Sequence, residues 1–185
     1  TGPIEIDLKD RLEQFLTDHP DLYIVFVDDK STDATLTILR ELHAQSMHRT
    51  RLQIHGTPRN LGKGGAIKAG FPLVQTELVC FTDADLAYDL DNLTAFQCQA
   101  APGRLLIANR LHPQSICTIS PYCFSYFFFR HLLSRIFNRL VRYTLLPHSS
   151  DVQAGLKMAW TKDFAGIIEK VRSDSFSFDL ELLLT

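Results

Sequence analysis

Two short apolar runs, "YIVFV" at residues 23–27 and "LVCFT" at residues 78–82, each break abruptly into carboxylates: Asp28 and Asp29 after the first, Asp83 and Asp85 after the second. A run of about five β-branched and aromatic residues is short for a helix and suits a strand covered on both faces. Helical periodicity fills the intervals at residues 4–16, 34–45 and 90–99, and another helix opens around Gly64. Ser31, Thr32 and Asp33 are placed to cap the second of these. A weaker strand is expected at residues 51–55 and another strand at 105–108, and "AGLKMAW" at 154–160 reads as a further strand followed by two helical segments. Strands alternating with helices predict an α/β fold with a mainly parallel central sheet covered by helices on both faces. Ligands of such sheets bind beyond the carboxyl ends of the strands, where both acidic pairs fall.

Two carboxylates separated by one alanine raise each other's pKa and cost stability unless something positive lies between them. Hard cations take oxygen ligands, and Mg²⁺ typically uses one or two carboxylates plus substrate phosphates. Asp83 and Asp85 are therefore candidate ligands of Mg²⁺ or Mn²⁺ bridging to a diphosphate; the alternative is a solvated turn in which Asp85 caps the next helix. Asp28 and Asp29 have the same alternative, since Asp-rich turns commonly cap helices. "RNLGKGGAIKAGF" at residues 59–71 fits neither GxxxxGK[ST] nor GxGxxG. Gly62, Gly64 and Gly65 would still allow close backbone approach at a helix start, and Arg59 and Lys63 would add positive charge near an anion. A flexible turn into an ordinary helix is the other reading. A phosphoacceptor receiver domain also gathers acids at strand ends, but no lysine here fits its pattern.

With 185 residues the chain is expected to form one domain, 1–185. A formal net charge of −2 argues against general nucleic-acid binding, yet the charge is uneven. No acidic residue occurs between Asp91 and Asp151, while Arg104, Arg110, Arg130, Arg135, Arg139 and Arg142 all fall there. Residues 121–146 read as one long helix with His131, Arg135, Arg139 and Arg142 on one face and Leu132, Leu133, Ile136, Phe137, Leu140 and Val141 on the other. A basic amphipathic helix with aromatics suits a membrane interface, and ordinary packing with a solvated arginine face is the alternative. Cys80, Cys98, Cys117 and Cys123 lack zinc-type spacing and read as reduced thiols. No signal peptide and no run of about 20 apolar residues is present, so a soluble or membrane-surface protein is expected.

Four motifs in order, "VDDKSTDAT", "RNLGKGGAIKAGF", "FTDADL" and "DVQAGLKMA", with "FSFDLELL" near the end, resemble the family 2 glycosyltransferases. The likeness is greatest to the polyprenyl-phosphate branch, the dolichyl-phosphate glucose and mannose synthases. The resemblance implies a single GT-A (Rossmann-like) domain that transfers a hexose from a UDP- or GDP-sugar, with inversion, to a polyprenyl or dolichyl phosphate. It implies that Asp28 and Asp29 contact the nucleoside, Arg59 and Lys63 lie near the nucleotide, and Asp83 and Asp85 hold the metal on the donor diphosphate. Asp151 and Gln153 would line the catalytic centre, and Arg110 with Arg135 and Arg139 would receive the acceptor phosphate. A cytoplasmic protein peripheral to the membrane is implied. A glycan or other soluble acceptor, and a catalytically silent nucleotide- or membrane-binding module, are the rival readings. The family pattern also has a strand ending in a Pro-x-Tyr-Asn-Glu-like motif before the first strand seen here, and often further strands or membrane spans after the last helix. Segments of both kinds are expected outside this chain. Ala154 and Leu156 stand where relatives often carry Cys and Phe.

Overall fold

The computed structural model describes residues 3–84, 91–109, 112, 139, 143, 151–152, 154–175 and 177–185. Two compact units emerge. The first comprises Thr1–Glu77 and Arg172–Phe178, the second Leu78–Val171 and Asp179–Thr185.

In the first unit, helix α1 (Pro3–Asp18) precedes strand β1 (Ile24–Asp28), helix α2 (Thr35–Gln45), strand β2 (Leu52–Gly56) and helix α3 (Gly62–Gly70). Strands β1 and β2 pair in parallel from Ile24 opposite Leu52 to Asp28 opposite Gly56, so their carboxyl ends emerge side by side. The core forms where the apolar stripe of α1 meets the sheet: Leu12, Leu16 and Leu52 are buried, with Leu22, Ile24, Phe26 and Leu42 against them. Helix α1 has no glycine to end it. Arg51 closes it instead, donating to the carbonyls of Leu16 at 2.6 Å and His19 at 2.8 Å, where a cation also suits the helix dipole. Asp33 accepts the Thr35 N–H at 2.9 Å at the start of α2. The Thr35 hydrogen bonds, its hydroxyl first, hold that carboxyl below its ordinary value.

In the second unit, β3 (Leu78–Phe81), α4 (Asp91–Gln99), β4 (Leu106–Ile107), β5 (Lys157–Trp160), α5 (Thr161–Ile168) and α6 (Phe178–Leu184, from Asp179 onward) follow in order. The sheet order is β3-β5-β4, and both ladders are antiparallel. Strands β3 and β4 therefore run parallel to each other, as the sequence pattern anticipates. The expectation of a mainly parallel sheet holds for β1–β2 only. Strand β5 arrives after a long excursion from β4 and enters between β3 and β4 from the opposite direction, which a tight crossover helix would not permit. Ala108, Ala154 and Leu156 are the buried centre, with Cys80, Leu93, Phe96 and Ile107 around them. Cys80 and Cys98 are free thiols, and burial pushes the Cys80 thiol up to about 12, so it remains protonated. The expected helix at 121–146 lies outside the described residues except at Arg139 and Tyr143, both helical and exposed. Among the described residues, no helix is long and apolar enough to cross a membrane.

The glycines of α3 have a packing explanation. A Cβ on Gly64 would lie 2.7 Å from Phe178 Cβ and 2.8 Å from its ring. Gly64→Ala should therefore destabilise the protein by roughly 1–3 kcal/mol, the usual penalty of overpacking. Urea unfolding of the two proteins measures it, and equal midpoints would refute the close approach.

Candidate functional site

The first unit gathers its sequence-predicted residues at the ends of β1 and β2. The Asp29 carboxylate accepts the N–H groups of Leu61 and Gly62, both at 2.7 Å, and the Thr57 hydroxyl at 3.0 Å. The Asp174 carbonyl accepts the N–H groups of Gly64 at 2.9 Å and Gly65 at 3.2 Å. The amide donors that open α3 are thus largely taken by the chain itself rather than presented to a phosphate. Gly62 adopts a φ of 80° with Asp174 O where a Cβ would point, so only glycine suits this turn. Asp29 acts as a cap for α3, a helix more than thirty residues away in sequence. Asp28 is buried at 5% exposure, and its side chain accepts the Ser31 N–H at 3.3 Å. Lys30 between them holds a φ of 61°, an uncommon conformation for a non-glycine residue and one that sharpens the turn. Arg59 is exposed and Lys63 half-buried.

The second unit joins two motifs that are distant in sequence. Asp83, just past β3, sets its carboxylate directly against Gly155; a Cβ there would overlap Asp83 Oδ2. Asp151 is 1% exposed, in the same segment, and Val152, Ala154 and Leu156 are fully buried beside it. Beneath them lies Lys157, with no exposed surface. Its ammonium donates to the Ala154 carbonyl at 2.7 Å and to Asp179 Oδ1 at 2.5 Å. It also sits 5.6 Å from the centroid of the Phe81 ring, within cation–π range. Removing one partner of such a buried pair costs about 3–5 kcal/mol, whereas removing both is often neutral.

Neither Lys157 nor Asp179 was among the expected site residues. Their signal was charge set inside an apolar run: the lone lysine of "AGLKMAW" and the first of the two acids in "FDLELLL". Asp85, Arg110, Arg135 and Gln153 lie outside the described residues, so of the three expected acceptor-binding arginines only Arg139 is described.

Among the described residues, no three His, Cys, Asp or Glu side chains converge as a ready metal cage. Asp83 supplies a hard oxygen donor seated against Gly155. That donor chemistry fits Mg²⁺ or Mn²⁺, which need few protein carboxylates when phosphates and water complete the shell.

The profile of Glycosyl transferase family 2 matches residues 7–163. The chain belongs to that family. This family 2 chain is 27% identical over 169 residues to the dolichyl-phosphate beta-glucosyltransferases of Mus musculus and Homo sapiens, covering 86% of the chain and 50% of each relative. It is 39% identical over 67 residues to an uncharacterized glycosyltransferase of Nostoc sp., covering 36% of the chain and 20% of that protein. Glycosyltransferase AglD of Haloferax volcanii is 26% identical over 163 residues, covering 87% of the chain and 24% of the relative. The chain therefore spans half or less of the length of these curated relatives.

Capping by Asp29 generates a prediction for this family 2 chain. Asp29→Ala strands two amides at the start of α3 and should cost about 1–2 kcal/mol, with Asp29→Asn intermediate. Thermal unfolding of the three proteins tests it; an alanine variant as stable as the parent would show that the carboxylate is not a cap.

Proposed function

We propose that the chain is the catalytic part of an inverting glycosyltransferase that moves a hexose from a UDP- or GDP-sugar to a polyprenyl or dolichyl phosphate at a membrane surface. The observation that carries this reading is the contact between Asp83 and Gly155. It joins the strand-end acid that the family resemblance assigns to the donor diphosphate with the "DVQAG" motif that it assigns to the catalytic centre. Similarity across 86% of the chain to proteins named dolichyl-phosphate beta-glucosyltransferase supports the acceptor class. The acid-free stretch with Arg110, Arg135 and Arg139 supports it independently, because a lipid phosphate needs neutralisation beside an anionic surface.

In this reading an oxygen of the acceptor phosphate attacks the anomeric carbon as its bond to the nucleoside diphosphate breaks. Asp83, with Asp85, would hold a Mg²⁺ or Mn²⁺ ion. Such an ion supplies Lewis-acid stabilisation of charge on the departing diphosphate. A phosphate monoester has its second pKa at about 6 and is largely dianionic near neutral pH. It needs no carboxylate to remove a proton, so buried Asp151 serves by orientation and electrostatics rather than as a general base.

The test is transfer from UDP-glucose and GDP-mannose to a short polyprenyl phosphate, with kcat/KM followed against pH for the parent and Asp151→Asn. The reading expects turnover with at least one donor, and an acidic limb near the acceptor's second ionisation that persists in the variant. Loss of the limb with collapse of activity at every pH would make Asp151 a true base and point to a hydroxyl acceptor. Absence of turnover by the parent with either donor would count against the function itself.

A further inference from the structure

The Lys157–Asp179 pair is more deeply buried than the other ion pair described, Lys68–Asp174. Burying a charge is costly unless partners compensate it, and an apolar pair of similar volume would often serve stability equally well. Stability alone is thus a weak reason for a lysine on the central strand of a sheet. Its position suggests another. Lys157 faces Phe81 across the β3–β5 ladder, two residues before Asp83. Its ammonium holds the carbonyl of Ala154, the residue before Gly155. Asp179 fixes the ammonium from α6.

We propose that Lys157 and Asp179 are positioning residues that lock the Ala154–Gly155 peptide, and through it the seat of the Asp83 carboxylate. The inference rests on the glycosyltransferase reading only where it concerns donor binding. Rotation of the Ala154–Gly155 peptide would turn the bare face of Gly155 away and bring other backbone atoms against Asp83. The lysine donor prevents that rotation. The aspartate keeps the ammonium directed at the carbonyl.

The decisive variant is Lys157→Met with Asp179→Leu, which removes both charges and leaves neither buried alone. Two readouts are taken on the full chain: amide hydrogen exchange at residues 154–158, and binding of UDP-glucose and GDP-mannose with Mn²⁺ by calorimetry. The inference expects unfolding close to that of the parent, exchange at Gly155 and Leu156 at least tenfold faster, and donor affinity at least tenfold weaker. In turnover, the donor KM should rise while the acceptor KM stays unchanged, a split that general loosening of the fold would not produce. Asp179→Asn, which leaves the buried ammonium without its counter-charge, should be less stable than the parent and the double variant, with exchange at Gly155 and Leu156 faster than in the parent. Parent-like exchange in the double variant overturns the inference. Faster exchange in a protein whose parent binds neither donor would sustain the positioning role and remove the functional reading instead.

Discussion

The contact between the Asp83 carboxylate and the bare α-carbon of Gly155 constrains everything proposed for the second unit. Asp83 leaves β3 at a point where the neighbouring strand β5 has just begun, so the residues before Lys157 must pass close to it. Any side chain at position 155 would displace the carboxylate. Asp151 is buried in the segment that leads to Gly155, with Val152, Ala154 and Leu156, and Lys157 holds the Ala154 carbonyl. A strand-end acid is common and says little by itself. An acid seated on a glycine, with that glycine's neighbour fixed by a buried ammonium, is a built feature.

The first unit uses similar residue types for a different end. Asp29 and the Asp174 carbonyl take up amides at the start of α3, and Gly62 and Gly64 admit Asp174 and Phe178 rather than leaving an open cradle. The glycine-rich segment therefore looks inward. Its capacity to meet an anion lies in the exposed Arg59 and the half-buried Lys63 more than in its backbone. Lys68, bound to Asp174 at 2.7 Å, ties the same returning segment to the helix.

Local pattern made the elements legible. Short apolar runs and helical stripes located β1, α2, β2, β3, α4 and β4 to within a residue or two and the end of β5, because burial on one or both faces imposes those patterns. Strand direction was not legible: nothing local in "KMAW" says that β5 enters between β3 and β4 in reverse, since ladder polarity is decided by the whole connection. Capping was half legible. Asp33 caps the helix that follows it, whereas Asp29 caps one far along the chain and Arg51 closes one that precedes it. For the candidate site, the motifs singled out Asp83 and Asp151, and the structure places Asp83 against Gly155 and buries Asp151. Lys157 and Asp179 escaped, because a charge in an apolar run looks like an edge position until the partner's location is known.

The most direct test of the account is Gly155→Ala, read by calorimetric binding of nucleotide-sugar with Mn²⁺ alongside thermal unfolding. The added methyl must push the Asp83 carboxylate from its seat, so the account predicts a donor affinity at least about tenfold weaker, some 1.4 kcal/mol. Donor binding equal to that of the parent, in a protein that still folds, would contradict it: the seat on Gly155 would then have no part in holding the donor.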